Sequence, residues 1–428
     1  MVGVTIFATW FAAMHVTANP GLFAEQGFVV LIPWVFAGPL CLFLIGRFFA
    51  KKLYDMNLVT VCDFFSIRYN KRVELVISIL LVFTYFHWIA PQFVSLGVLF
   101  HEVLGMEVSH GIILGAAIVV LYTYVGGMWA VSWTDMLQSF LIVLGLIILT
   151  ASVLIQTGGL GPLFADKPAG FYSLFPGPSL PAWSEFIAII LAFAVGAIPA
   201  QEIYQRAFSA RNSRSGQHGV YLSAVLLLAL SLIPCVAALG IAYLHPELLG
   251  SEFGQNLIPS MVAQYSSLPL QVLFYGALIS AILSTSSGAM LAPATIIGEN
   301  ILRPYFSNMT DKKLLLLTRL SVLVVAAISY YFASMDQSIA GLVVASLSIL
   351  LVCIVAPFIF GMFWKKASIF GAWCAIIVGG VTWLGCYILN TQLDSTIYGF
   401  IASCIAMVVG SLLKPDADKL EQGIAEKI

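Results

Sequence analysis

The chain has 428 residues, 61% of them hydrophobic and 9% charged, with a mean hydropathy of +1.00. A soluble domain carries about 25% charged residues, so the composition excludes a soluble globular protein and points to an integral membrane protein. The formal net charge of −1 offers no basic face for nucleic acid, and the seven cysteines and six histidines have no ligand spacing. No phosphate-binding loop, hydrolase elbow or zinc-protease motif occurs, so no enzyme is expected.

Twelve apolar segments approach or exceed the roughly 20 residues that cross a hydrocarbon core. They lie near 3–18, 28–49, 73–100, 109–125, 130–155, 184–205, 218–243, 266–302, 314–334, 338–363, 370–390 and 395–413. With twelve alternating spans, 18 of the 19 lysines and arginines fall on one side, and only Lys167 falls on the other. The positive-inside rule then places both termini of a multi-pass cell-membrane protein in the cytoplasm. The tail 414–428 is expected to be a cytoplasmic extension of a single transmembrane domain, 1–413.

The first segment holds His15 and Thr17 and is expected to break at Asn19-Pro20-Gly21. A polar, broken helix is costly in lipid unless it lines a cavity. The third segment carries Tyr85, His87, Trp88, Pro91 and Gln92. Aromatic residues at such spacing pack against neighbours or line a cavity. Next, Gly126-Gly127 predicts a tight turn, and Asp135 with Gln138 opens the fifth segment. There Asp135 either caps a helix N-terminus or serves an ion path. In the sixth segment Gly196 and Pro199 interrupt the helix, followed by Gln201, Glu202, Gln205 and Arg206. Interrupted helices at matching places predict two repeats, about 3–155 and 184–363, with extra helices at 370–413.

The eighth segment carries Ser280, Ser284, Thr285, Ser286 and Ser287 within two turns. Ala281, Ser284, Thr285 and Gly288 share one helical face. Two readings stand: close helix packing through small residues, or a site for a dehydrated monovalent cation built from hydroxyls and carbonyls.

Three stretches then resemble the sodium–solute symporter family: GGMWAVSWTDMLQ (126–138), AILSTSSGAML (281–291) and FGMFWKKASIFGA (360–372). The resemblance covers nearly the whole chain. It implies an all-α membrane protein with a five-plus-five inverted-repeat (LeuT-type) core and two C-terminal helices. It further implies sodium-coupled uptake of a small organic solute by alternating access, with Na+ as the coupling ion. Carried over residue by residue, the sodium ligands are the carbonyls of Ala8, Phe11 and Ala281 and the hydroxyls of Ser284 and Thr285. Five neutral oxygens suit sodium, whereas calcium and magnesium sites recruit carboxylates. Asp135 matches the family's acidic residue on the sodium path.

Residues 46–65 and 196–210 are most similar to the choline-carrier branch, with one departure: Ala200 stands where those carriers have tryptophan. A quaternary ammonium wants an aromatic cage, and Trp10, Trp34, Tyr85 and Trp88 are available for one. His15 matches a polar substrate contact of a sugar carrier in the family, and Gln201 and Glu202 adjoin the sixth-segment break. The solute classes open at this point are an amino acid, a quaternary ammonium, a sugar and a carboxylate. A proton-coupled carrier working through Glu202, or a transporter-fold sensor, is the alternative. Family members have a helix before the first core helix, and the present sequence begins at that core helix.

Overall fold

A computed structural model describes residues 1–11, 13–165, 167–249, 257–305, 310–335 and 338–416; of residues 125–132, 305 and 311 only the backbone is described. Helices account for the architecture, and the described residues contain no strand. The principal helices are α1 (Val2–Trp10), α2 (Asn19–Gln26), α3 (Ala37–Leu44), α4 (Cys62–Arg68) and α5 (Lys71–Leu104). They are followed by α6 (Val108–Thr157), α7 (Leu180–Leu191), α8 (Gln201–Phe208), α9 (Ser213–Leu244) and α10 (Leu268–Ile296). The last five are α11 (Asp311–Met335), α12 (Ile339–Leu350), α13 (Ala356–Phe363), α14 (Ile369–Ile388) and α15 (Ser395–Leu413). Among the described residues, 10 helical runs are long and apolar enough to cross a membrane, with Val108–Tyr124 as a shorter apolar helix.

Two of these runs fold back on themselves. Met14–Asp55 and Val108–Thr157 are each helical without interruption. A straight helix separates residues 15 apart by about 22 Å and residues 12 apart by about 18 Å. Yet Asn19 Nδ2 donates to the Trp34 carbonyl at 3.0 Å, and the Tyr122 and Thr134 hydroxyls are hydrogen bonded. The first reversal is at Gly27, whose φ of +78° suits glycine. It also lies against Phe171, whose carbonyl oxygen would be 2.3 Å from any Cβ. The second reversal lies between Tyr122 and Thr134, the interval that contains Gly126 and Gly127.

The break in the first segment is not at Asn19-Pro20-Gly21. Those residues begin α2, where proline lacks only a donor that a first turn leaves unused. A π-helical turn, Met14–Ala18, sits directly upstream. The chain instead leaves helical geometry at Phe11, with φ −88° and ψ +82°. The sixth-segment break falls where Gly196 and Pro199 predict it. Helix α7 runs through a π-helical turn at Ala192–Gly196 and stops, and Ala200 is extended before α8 starts.

The ends of many helices meet at one pole of the molecule, around the short helix α4. Asn300 beyond α10 donates to Asp63 and Glu74 at 2.7 and 2.8 Å and accepts from Thr60 at 2.7 Å. The Val61 amide donates to Gln201 Oε1 at 2.7 Å, tying α4 to the start of α8. Arg68, nearly buried, donates to the carbonyls of Gly361, Trp364, Lys365 and Ala367. A guanidinium there also opposes the negative end of α13.

Replacing Arg68 with alanine strips charge-assisted bonds from four carbonyls. It is expected to lower stability by about 3 kcal/mol, read as a fall in Tm in detergent. Arg68→Lys should recover only part, because an ammonium lacks the fork that reaches several carbonyls.

Candidate functional site

The hydroxyl cluster of α10 divides into two kinds. Ser286 and Ser287 donate back to Ile282 and Ser284 carbonyls of their own helix, the ordinary fate of a buried serine. Ser284 and Thr285 reach out to other helices. Thr285 Oγ1 donates to the Ala8 carbonyl at 3.0 Å, and Ser284 Oγ donates to Asp135 Oδ1 at 2.5 Å. Ala8, Phe11, Ala281, Ser284 and Thr285 are all buried. Helix α1 stops at Trp10; the Phe7 carbonyl accepts the Phe11 amide, and the Ala8 carbonyl accepts the Thr285 hydroxyl across the helix contact. A serine or threonine hydroxyl that donates one proton keeps two lone pairs for a cation.

Asp135 is therefore adjacent to the hydroxyl pair. It is fully buried, and its second oxygen lies 3.4 Å from Arg206 Nη2 of α8. Neither its pairing with Arg206 nor its bond to Ser284 is visible in residue spacing, because the partners lie 71 and 149 positions away.

A narrow cavity of about 20 Å³ borders the same place. Its walls include Trp10, His15, Trp34, Trp88, Gln92 and Thr285. The Trp10 and Trp88 rings are 6.3 Å apart, and His15 stacks on Phe11 at 5.6 Å. Trp88 Nε1 and Gln92 Oε1 are buried without a hydrogen-bond partner. The space holds about one water, so the cavity is closed around its aromatic walls. Trp34 also faces a wider vestibule of about 570 Å³ at the pole opposite α4, into which Glu185 and Asp394 project.

Of the four solute-side candidates, His15 and Trp88 line the cavity. Glu202 stands behind Trp10: it accepts from Trp10 Nε1 at 3.2 Å and from the Tyr85 hydroxyl. Gln201 turns the other way, toward Val61 of the α4 pole. Trp10, Trp34 and Gln92 belong to the site as well, and their aromatic or amide character was the only signal the sequence carried.

The sequence signature described as "Sodium:solute symporter family" matches residues 1–379. The chain belongs to the sodium:solute symporter family. It is 28% identical over 413 residues to the sodium/proline symporter of Escherichia coli (strain K12), which covers 89% of this chain and 78% of that protein. It is 26% identical over 396 residues to the high affinity choline transporter 1 of Homo sapiens, with 88% and 67% covered. The fold is similar to that of a Na+-coupled sialic acid symporter in a substrate-bound outward-open state, with a TM-score of 0.81 at 18% identity. That likeness covers 97% of this chain and 90% of the other. This symporter thus has the inverted-repeat transporter architecture, and it couples sodium to the movement of a small organic solute.

If the Ser284 and Thr285 hydroxyls are sodium ligands, removing either one weakens sodium binding. Ser284→Ala and Thr285→Ala should each raise the half-saturating sodium concentration about tenfold, the equivalent of 1.4 kcal/mol. Sodium titration of solute uptake checks this, and unchanged sodium dependence in both variants would reject the assignment.

Proposed function

We propose that this symporter imports a solute bearing a positively charged nitrogen. In this reading, sodium is held by the carbonyls of Ala8, Phe11 and Ala281 and the hydroxyls of Ser284 and Thr285. The observation that carries the reading is Thr285, which bonds the broken helix α1 at Ala8 and also walls the aromatic cavity. A cation at Thr285 pins α1 to α10 and fixes one wall of the solute site. Sodium and solute then strengthen each other's binding by the same factor. With the basic loops in the cytoplasm, both described termini are cytoplasmic and sodium enters from the vestibule side. A membrane potential of 100 mV adds about 2.3 kcal/mol per sodium.

Three tryptophans around the cavity support a cationic nitrogen as the recognised group. Glu202 strengthens this by accepting the Trp10 N–H, which pushes electron density onto the ring face. Proline and choline, the solutes in the names of the two similar transporters, share such a nitrogen within an apolar body. His15 and Gln92 line the same cavity and would meet the polar remainder of the solute.

Thermal stability of the purified protein tests both parts. Proline, betaine, choline, a neutral sugar and a short carboxylate are each added with sodium or with N-methylglucamine. A nitrogen cation is expected to stabilise only with sodium, and Trp88→Ala should weaken that solute about tenfold while leaving sodium binding intact. Sodium-dependent stabilisation by the sugar or carboxylate alone would overturn the solute class. No sodium dependence for any compound would overturn the site.

A further inference from the structure

Arg206 is an unusual resident of this core. It is 8% exposed, and its guanidinium lies against α10 at Gly288. A Cβ at Gly288 would come within 2.4 Å of Nη2, so the space is kept by the lack of a side chain. Nη2 faces Asp135, Nη1 donates to the Glu202 carbonyl at 3.2 Å, and Nε has no partner. Asp135 pairs with no other cation among the described residues. One guanidinium therefore faces one buried carboxylate, Asp135 beside the hydroxyl pair, and is anchored on the backbone of Glu202, whose own carboxylate accepts from Trp10 and Tyr85.

The consequence for sodium is electrostatic. Ser284 gives its proton to Asp135 in a charge-assisted bond, which makes the hydroxyl oxygen a stronger ligand. Asp135 acts on the ion through that hydroxyl, as outer-shell carboxylates do at metal sites. An unopposed carboxylate here would hold sodium too tightly for a carrier, which must also let go. Arginine opposes it at every physiological pH, because its charge is permanent.

We propose that Arg206 is a built-in counter-cation that weakens the sodium site to the strength needed for release. It acts as a positioning residue through Asp135 and Ser284, and the proposal rests on the sodium reading above.

Sodium binding to the purified full chain, followed by radiolabelled sodium without solute at mildly alkaline pH, tests this directly. Arg206→Gln is expected to tighten sodium binding about tenfold and to slow transport because release becomes limiting. Arg206→Lys, which keeps the charge, should stay within about threefold of wild type. Unchanged or weaker sodium binding in a folded Arg206→Gln would overturn the proposal. If that variant does not fold, Asp135→Asn is compared with Asp135→Asn/Arg206→Gln. The single variant leaves an uncompensated guanidinium and should bind sodium more weakly than the double, and equal affinities would overturn the proposal. Ser284→Ala in the wild-type background is the separate control: sodium binding that ignores it rejects the underlying site, whatever Arg206 does.

Discussion

A sodium ion that leaves water for a protein core needs oxygens already in place, and the proposed site draws them from the contact between α10 and the interrupted first segment. Helix α1 ends at Trp10, and the chain leaves helical geometry at Phe11. Thr285 already bonds the Ala8 carbonyl. If α1 ran on regularly through Phe11, its last carbonyls would be spent inside the helix. The interruption is therefore the feature on which the proposed ligand role of Ser284 and Thr285 depends.

The two poles of the molecule are arranged unequally around that contact. At the α4 pole, Asn300 joins Thr60, Asp63 and Glu74, Gln201 takes the Val61 amide, and Arg68 is spread over four carbonyls. These bonds connect the ends of α4, α5, α8, α10 and α13. The opposite pole opens into the wide vestibule, with Trp34 between it and the narrow cavity. This is the geometry of a carrier shut at the basic pole. To release toward that pole, α4 must give up partners on both α8 and the end of α10. The buried bonds there set a cost that the occupied site has to meet.

What could be read in the sequence follows from what sequence encodes locally. Apolar runs, the Gly196–Pro199 fault and the crowd of hydroxyls on α10 are short-range patterns, and each corresponds to an element of the fold. Asn19-Pro20-Gly21 misled because proline at the start of a helix costs nothing, and a π-helical turn before it absorbs the change in bonding. Phe11, where the break lies, has no such mark. Gly288 reads as one more small residue for helix packing, yet its role in the fold is to admit a guanidinium from α8. Gln201 and Glu202 are neighbours in sequence that diverge in space, one to the α4 pole and one to Trp10. Their directions depend on Val61, Tyr85 and Trp10, which no local pattern connects to them.

The charges of the core bind these observations together. Asp135 and Glu202 are both buried, and Arg206 faces the Asp135 carboxylate while donating to the backbone carbonyl of Glu202. Buried carboxylates are costly unless matched: Arg206 and Ser284 meet Asp135, and Trp10 and Tyr85 donate to Glu202. In the proposed reading, sodium at the Ser284 and Thr285 hydroxyls would stand one hydrogen bond away from Asp135. In the same reading, a solute with a cationic nitrogen would meet the Trp10 face on the Glu202 side, while sodium would sit on the Asp135 side, with Thr285 between them. In that reading, coupling passes through Thr285, which bonds α1 at Ala8 and walls the cavity.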